Sequence, residues 1–280
     1  MSVSQSARLD RERWLVRWDA ETDSTQSRAS ELGLRAGKLG GRWLFAGAAA
    51  QTSGRGRSGA RWESHPGDGI LFTVGTELAA PAERWPLASL VVGTALAEAL
   101  ERWCGREIRC KWPNDLLARD DGRWRKLGGC LAERVERPGL PALWLIGVGI
   151  NLRHAALPAA LWPYATSLET LNPTFEPGSA EACCHALAES VRAAIAAWQH
   201  AGWRLDRETL QARLAFAGDP ITVDLGSSRV DGILRGVAPD GRILLELESG
   251  AVVPLLPLAI TGADSDPPWH PPPRSRTEAP

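Results

Sequence analysis

The sequence predicts an α+β protein with one large domain and one small all-β domain. From the N-terminal region to about Asp219, strand-like and helix-like hydrophobic patterns alternate. After that point short β-rich runs follow one another, separated by turn signals such as Asp240-Gly241, and no long helix fits there. The 280 residues allow one large or two unequal domains. An apolar content of 44% is enough to build a core.

Three segments of the first part carry strand patterns. Gly69–Val74 and Ala142–Ile150 are short apolar runs bounded by Gly or Pro, which is typical of strands buried on both faces. Glu107–Trp112 alternates polar and apolar residues, which predicts a half-buried strand. These segments provide the strands of a layered fold.

Two segments carry helix patterns. Leu87–Trp103 has apolar residues on more than one side, which predicts a helix buried between layers. Ala182–Gly202 shows apolar residues at three- and four-residue spacing, with Ser179 placed to cap its start and Gly202 to stop it. The helices therefore alternate with the strands along the chain.

The composition changes at both ends of the chain. The last segment is too rich in proline to form a packed element, and the first is polar. We therefore predict a flexible leader over 1–16, the main domain over 17–218, the β-rich domain over 219–262 and a disordered tail over 263–280.

Charge, hydropathy and cysteine content argue against a strongly basic or acidic chain, a membrane-spanning protein and a secreted protein. The 32 Lys and Arg residues balance 33 Asp and Glu, so any phosphate chemistry must rely on a local basic cluster. The sequence contains no run of about 20 apolar residues, so it predicts no membrane helix. The N-terminus lacks the apolar run of a signal peptide. Five cysteines without a CxxC pair are typical of reduced thiols, so we predict a cytoplasmic protein.

The most informative motif is the glycine-rich stretch 51–62, QTSGRGRSGARW. It matches GxGxxG formally, but the ESHPGDG that follows forbids the helix which a dinucleotide fingerprint requires. The remaining features are exposed backbone amides and the guanidinium groups of Arg55, Arg57 and Arg61, which can bind phosphate or carboxylate oxygens. A solvated surface loop is the alternative interpretation.

Four further motifs place polar groups at the ends of predicted elements. Lys111–Asp115 (KWPND) ends a strand in a turn, and Lys126–Glu133 (KLGGCLAE) sets a lysine before two glycines that are expected to open a strand. Gly147–Asn151 (GVGIN) leaves room beside a buried strand, and Ser24–Gln26 precedes a helix. Taken singly, each is also compatible with an ordinary turn, a surface charge or a helix cap.

The five motifs, in this order, resemble those of the biotin protein ligases, from about Arg17 to Gly262. The resemblance implies a class II synthetase-like catalytic domain, in which helices back a seven-stranded mixed sheet, followed by a small SH3-like β-barrel. Members that also repress transcription carry a DNA-binding domain before the Ser24–Gln26 motif. Since about 20 residues precede that motif here, the resemblance is to the short form, and we expect no specific DNA binding.

The resemblance also assigns roles to individual residues. The biotin-binding residues it implies are Ser24, Thr25, Gln26, Gln51, Arg55, Gly56, Arg57, Lys126 and Gly128. The implied ATP and adenylate contacts are Arg55, Arg57, Lys111, Asn114, Lys126 and Asn151. The implied catalytic residues are Lys126, Arg57, Lys111 and Asp115, and Asp115 is also the expected Mg²⁺ ligand.

Two positions depart from the family pattern. Gln26 stands where the family commonly has Asn. Glutamine keeps the amide group but on a longer side chain. Ala60 stands where the family commonly has Arg, and whether Arg61 replaces that guanidinium is left open. Closure of the arginine loop over ATP is therefore the role that the resemblance transfers least securely.

The activity that the resemblance implies is biotin–carboxyl-carrier-protein ligation. ATP with Mg²⁺ would activate biotin to biotinyl-5′-AMP, and a lysine of the biotin carboxyl carrier domain of acetyl-CoA carboxylase or a related carboxylase would accept the biotin. The basic residues suit this chemistry because negative charge develops at the α-phosphorus. No membrane partner is expected, and a homodimer is left open.

Two alternatives remain on sequence grounds. A lipoate or octanoate ligase shares the catalytic fold, and a regulatory module could hold the adenylate without transferring it. KWPND and the arginine loop favour biotin over lipoate. The pair of lysines, Lys111 and Lys126, favours turnover over simple binding.

Overall fold

The computed structural model of the chain describes residues 8–62, 64–78, 80–154, 157, 161, 163–256 and 259–262. These residues form a seven-stranded sheet, a five-stranded sheet, a short hairpin and five α-helices. The strands of the first sheet are β1 (Trp14–Asp19), β2 (Trp43–Ala48), β5 (Gly69–Glu77), β6 (Ile108–Lys111), β7 (Asp115–Asp120), β8 (Arg123–Arg137) and β9 (Leu140–Asn151). The hairpin strands are β3 (Gly54–Arg55) and β4 (Arg61–Trp62). The helices are α1 (Thr25–Ala36), α2 (Ala88–Cys104), α3 (Leu168–Leu171), α4 (Ala180–His200) and α5 (Arg207–Ala212).

The first sheet is mixed. Its strand order is β1-β2-β5-β9-β8-β7-β6. β1 and β2 run parallel, whereas every other neighbouring pair is antiparallel. The α+β class and the mixed sheet with helices are therefore confirmed.

Helices cover both faces of this sheet because its central strands are apolar on both sides. On β2, Phe45 belongs to a large cluster with Leu96 of α2 and Leu187 of α4. Leu44, the neighbour of Phe45 along the strand, belongs to a second cluster with Ala29 of α1. Since successive side chains of a strand point to opposite faces, α1 lies on one face and α2 with α4 on the other.

The predicted elements agree closely with these. The strand predicted over Gly69–Val74 is the first part of β5, and the strand predicted over Ala142–Ile150 is the central part of β9. The helix predicted over Leu87–Trp103 is α2, preceded by a 3-10 turn over Ala82–Leu87. The helix predicted over Ala182–Gly202 is α4, and its N-cap Ser179 accepts a hydrogen bond from the backbone N–H of Ala182.

Three details differ from the sequence-based expectations. β1 already begins at Trp14, whose side chain is 1% exposed, so the polar leader is shorter than 1–16. The strand predicted over Glu107–Trp112 is β6, in which buried Ile108 and Cys110 flank the partly exposed Arg109 as expected, whereas Lys111 on the polar face is itself buried. Lys126 lies inside β8 and does not precede a strand, because β8 begins at Arg123 and is much longer than the apolar run.

The C-terminal part is a second, antiparallel sheet in the order β13-β12-β11-β10-β14. Its strands are β10 (Pro220–Asp224), β11 (Arg229–Val237), β12 (Ile243–Glu246), β13 (Val252–Leu255) and β14 (Ala259–Gly262). In the described part of the chain β13 and β14 do not pair, so the sheet is open and a closed SH3-like barrel is not confirmed. The predicted tail lies outside the described residues. Among the described helices, none has the length and apolarity needed to span a bilayer.

Candidate active site

A cradle of glycines lies on the α1 face of the first sheet. A Cβ atom at Gly147 would lie 3.0 Å from Cδ of Gln26, and one at Gly149 would lie 2.6 Å from Cε2 of the Trp62 indole. The Gln26 amide also donates to the carbonyl of Leu131 at 3.2 Å. Gln26 and Trp62 can lie this close to the strands only because both positions are glycine.

The start of α1 closes one end of the cradle with polar groups. Ser24 and Thr25 are each 4% exposed, and the Ser24 side chain makes no capping hydrogen bond. The backbone N–H and the hydroxyl of Thr25 donate to Oε1 of Gln51 at 2.8 and 3.1 Å. The hydroxyls of Thr25 and Thr73 are 2.9 Å apart. Buried polar groups held in this way can recognise the polar end of a small ligand.

Gly128 is not part of the cradle. A Cβ atom at Gly128 would lie 2.6 Å from the carbonyl oxygen of Gly149 and would point towards Ile150, which belongs to the core on the opposite face. Its neighbour Gly129 pairs with Gly149, and a Cβ there would lie 3.2 Å from the Asp115 carboxylate. Because successive residues of a strand face opposite sides of the sheet, Gly129 faces the same side as Gly149, and Gly128 faces the core on the other side.

A cluster of charged groups lies at the other end, where β6, β7 and β8 meet. Nζ of Lys126 is 2.7 Å from Oδ1 of Asp115, and Lys111 is only 6% exposed. Burial lowers the pKa of Lys111 to about 8; Asp115 opposes this shift and Lys126 adds to it. A cavity of about 20 Å³ lies beside these groups and is lined by Lys111, Asp115, Leu117, Trp124, Lys126, Tyr164 and Phe216. The cluster carries more cationic than anionic groups, so it favours an anionic ligand.

The glycine-rich motif folds as the hairpin of β3 and β4, with a 3-10 turn at its tip. The backbone N–H of Gly56 donates to the carbonyl of Ala60 at 2.7 Å, which closes the tip. No helix follows, in agreement with the rejection of a dinucleotide fingerprint. An open cleft of about 560 Å³ lies beside the hairpin and is lined by Ser53, Gly54, Arg55, Gly56, Arg57, Gly59, Ala60, Arg61, Leu131 and Glu133.

The three arginines of the hairpin have different surroundings. Arg55 pairs with Glu133 of β8 at 3.3 Å. The Arg57 guanidinium lies 5.5 Å from the ring centre of Trp112, and burial lowers its pKa against the opposing charge of Asp115. Arg61 is exposed and donates to a backbone carbonyl, that of Thr52, at 2.6 Å. Of the three, Arg57 is therefore the one whose pKa is affected by Asp115 of the charged cluster, while Arg61 lines the cleft beside the hairpin.

Two asparagines hold the backbone of the site. The Asn114 amide donates to the carbonyl of Cys130 at 3.0 Å. The Asn151 amide donates to the carbonyls of Lys126 and Thr166 at 3.3 and 3.0 Å. Their amide N–H groups are directed at the main chain, so both residues fix the strands that carry Asp115 and Lys126.

Several residues of the site were not found from the sequence. They are Trp62, Thr73, Trp112, Gly129, Tyr164 and Phe216. Tyr164 reaches the cluster because its carbonyl accepts the N–H of Lys126 at 2.8 Å. No local pattern marks Tyr164 or Phe216, because each comes from a segment far from the motifs along the chain. Trp62 ends the glycine-rich motif, and Gly149 of the GVGIN motif leaves the space that its indole fills.

The glycine cradle, the charged cluster and the arginine hairpin together form an arrangement suited to an anionic small molecule. The Biotin/lipoate A/B protein ligase family model matches residues 21–151. The chain is 33% identical over 208 residues to the biotin–acetyl-CoA-carboxylase ligase of Mycobacterium tuberculosis, covering 72% of this chain and 73% of that protein. The chain belongs to the biotin/lipoate A/B protein ligase family.

Other relatives agree with this placement. The bifunctional ligase/repressor BirA of Escherichia coli is 29% identical over 212 residues, which cover 73% of this chain and 61% of BirA. The chain thus spans less than two thirds of the length of that relative. In fold, the biotin protein ligase from Aquifex aeolicus in complex with biotin and ATP superposes with a TM-score of 0.69 at 23% identity, over 89% of this chain and 98% of that one.

Proposed function

We propose that the protein activates biotin with ATP and transfers the biotinyl group to a lysine of a biotin carboxyl carrier domain. The observation that carries the proposal is that Trp62 joins the glycine cradle to the charged cluster: its indole lies over Gly149, and its ring centre is 5.7 Å from Nζ of Lys126. The buried polar groups at the start of α1 lie on the other side of the cradle, where the Gln26 side chain lies over Gly147. The named activities of the relatives support the same reaction.

The cradle suits biotin in size and polarity. The ureido ring requires donors and acceptors, which Ser24, Thr25 and Gln51 provide at the closed end. The apolar ring and valeryl chain require an apolar wall, which the Trp62 indole packed over Gly149 supplies. The carboxylate at the far end then meets Lys126, which at present pairs with Asp115. Binding therefore includes an exchange in which the biotin carboxylate shares or replaces Asp115 as the partner of Lys126.

The first step joins two anions, so its barrier depends on local positive charge. A carboxylate oxygen of biotin attacks the α-phosphorus of ATP, and pyrophosphate leaves with the electron pair of the broken P–O bond. Lys111, Lys126 and Arg57 stabilise the negative charge that develops on the phosphoryl oxygens. No side-chain nucleophile is needed, because the substrate carboxylate is itself the nucleophile.

The second step depends on excluding water from the adenylate more than on positive charge. Biotinyl-5′-AMP is a mixed anhydride that water hydrolyses, so the arginine hairpin is assigned the role of covering it. The neutral ε-amine of the carrier lysine then attacks the biotinyl carbonyl. AMP leaves from the carbon, the new amide nitrogen gives up a proton, and the free enzyme is restored.

Mg²⁺ fits this site as part of the ATP substrate. Among the described residues no group of three or more His, Cys, Asp or Glu side chains comes together, and one oxygen of Asp115 already faces Lys126. Magnesium sites in enzymes that bind ATP use one or two carboxylates together with phosphate oxygens. Asp115 is the carboxylate we assign to this ion, whose chemistry is to neutralise phosphate charge.

The test is a substrate comparison. The protein is mixed with ATP, Mg²⁺ and either biotin or lipoate, and pyrophosphate release is followed, first alone and then with an apo carrier domain of each kind. We expect a single turnover with biotin alone and continuous turnover only with the biotin carrier. Release with lipoate instead would assign the chain to the lipoate branch of its family. Adenylate formation without any transfer to the carrier would indicate a binding module.

A further inference from the structure

Trp112 connects the main sheet to the C-terminal sheet. It follows β6 directly, is 4% exposed, and its indole N–H donates to the carbonyl of Gly241 at 2.8 Å. Gly241 lies in the turn between β11 and β12 with a φ of +86°. The partner of the indole is thus a backbone atom of the C-terminal sheet, in a turn that requires glycine.

That turn is itself fixed in place. Gly241 packs so closely against Leu87, at the start of α2, that no side chain fits there. Arg84 donates to the carbonyl of Pro239, in the same turn, at 3.3 Å. The segment before the C-terminal sheet also pairs with β6, since the N–H of Cys110 donates to the carbonyl of Arg213 at 2.7 Å. The acceptor of the Trp112 indole is therefore held by several independent contacts.

The Trp112 ring contacts the nucleotide side of the site. The Arg57 guanidinium lies 5.5 Å from the ring centre, within the range of a cation–π interaction. Arg57 comes from the tip of the hairpin, whose strands contain two residues each. So short a hairpin fixes its own tip weakly, and the indole provides a rigid surface for the arginine.

We propose that Trp112 is a positioning residue for Arg57: the C-terminal sheet orients the indole through the Gly241 carbonyl, and the indole holds the guanidinium over the adenylate. The inference rests on the proposed function, because it assigns Arg57 to the adenylate. It gives the C-terminal sheet a role in retaining the intermediate, although none of the residues described in that sheet lines the cleft beside the hairpin.

The test is a double-mutant cycle on retention of biotinyl-5′-AMP. Trp112→Phe keeps an aromatic face and removes the indole N–H; Trp112→Leu removes both. The enzyme is loaded with labelled biotin and ATP, unlabelled biotinyl-5′-AMP is added in excess, and loss of label is timed. We expect release to be a few-fold faster in Trp112→Phe and about tenfold faster in Trp112→Leu, a change of about 1.4 kcal/mol. The rate of pyrophosphate release in the first turnover should fall less than in Arg57→Ala, which loses the guanidinium assigned to that step.

The decisive comparison is made in an Arg57→Ala background. If Trp112 acts through Arg57, Trp112→Leu adds no further acceleration there, whereas a general loss of structure would multiply the two effects. Equal retention by the wild type and Trp112→Leu, or multiplied effects in the double variant, would overturn the proposal. If Trp112→Leu does not fold, the same cycle is run with Trp112→Phe.

Two controls complete the design. Arg84→Ala removes a different contact of the turn and should leave retention unchanged, and so should Trp103→Phe, whose ring stacks on Phe175 away from the cleft. A wild-type protein that forms no adenylate would contradict the proposed function itself. Adenylate formed and retained equally by all variants would contradict only the role of Trp112.

Discussion

The glycine cradle and the arginine hairpin are both rich in glycine, but they use it for opposite purposes. In the cradle, Gly147 and Gly149 stand between paired strands, and a side chain at either would collide with Gln26 or Trp62. At the tip of the hairpin, a Cβ at Gly59 would meet no atom within 4 Å, and one at Gly56 would lie 3.3 Å from Ala60, a tight contact but a looser one than those of the cradle. The cradle therefore admits no side chain without displacing a neighbour, while the hairpin tip admits one with a smaller adjustment. We expect changes in the cradle to affect formation of the adenylate and changes in the hairpin to affect its retention.

The largest effect is expected from Lys126 at the end of the cradle. Lys126→Ala should abolish pyrophosphate release with biotin, because a desolvated carboxylate that loses its ammonium partner costs about 3–5 kcal/mol. Single-turnover pyrophosphate release measures this directly. The chain contains only three lysines, and the third, the exposed Lys38, provides the matched control as Lys38→Ala. Near-normal release by Lys126→Ala would remove Lys126 from the site.

The second prediction compares one glycine from each region. Gly149→Ala should displace Trp62 and raise the KM for biotin, with a loss of stability of about 1–3 kcal/mol, as is usual for overpacking. Gly56→Ala should lower the Tm less, because its φ of −114° suits any residue and its closest contact, 3.3 Å to Ala60, is looser than the 2.6 Å contact at Gly149. Thermal melting and biotin titrations of both variants test the contrast. If the two variants behaved alike, the difference drawn between cradle and hairpin would be wrong.

The third prediction uses the buried Lys111 as a pH sensor. Since its pKa is lowered to about 8, the ammonium is present below that pH and is lost above it. We expect kcat/KM for ATP to fall above about pH 8, approaching tenfold per pH unit. Lys111→Arg, which stays charged, should remove this fall. A wild-type profile that stays flat to pH 9.5 would show that Lys111 does not contribute its charge.

The same shift has a consequence for stability. The unfolded chain keeps its Lys111 proton up to about pH 10.5, whereas the folded chain releases it near pH 8. Between these values the unfolded state binds more protons, so the contribution of Lys111 to stability rises with pH. Thermal melting of the wild type and Lys111→Met across this window should show a difference that narrows as the pH increases.

Much of the fold could be predicted from the sequence because its signals are local. The apolar runs of β5 and β9, and the periodicity and cap of α4, depend on neighbouring residues alone. The boundary of β8 could not be predicted from the sequence, because charged residues extend the strand beyond its apolar run. The choice between Gly128 and Gly129 could not either, since it depends on strand register. Contacts between distant segments, such as Trp112 with Gly241, leave no local pattern.

The last prediction separates two arginines of the hairpin. Arg57 lies over Trp112 near Asp115, whereas Arg61 is exposed and donates to a backbone carbonyl. Arg57→Gly removes the guanidinium and adds backbone freedom, which raises the entropic cost of ordering the tip. We expect biotinyl-5′-AMP to bind at least tenfold more weakly, about 1.4 kcal/mol, while the first step survives in part because Lys126 remains.

The readout is labelling of a bystander protein. Released adenylate acylates accessible lysines, so incubation with biotin, ATP and serum albumin should label albumin strongly with Arg57→Gly and weakly with the wild type. Labelling of the enzyme's own side chains should be confined to Lys38, because Lys111 and Lys126 are the only other lysines of the chain and lie in the site. Arg61→Gly is the matched control, since it introduces the same residue into the same hairpin, and it should behave like the wild type. If both variants label albumin equally, backbone freedom alone opens the hairpin; if neither does, Arg57 does not hold the intermediate.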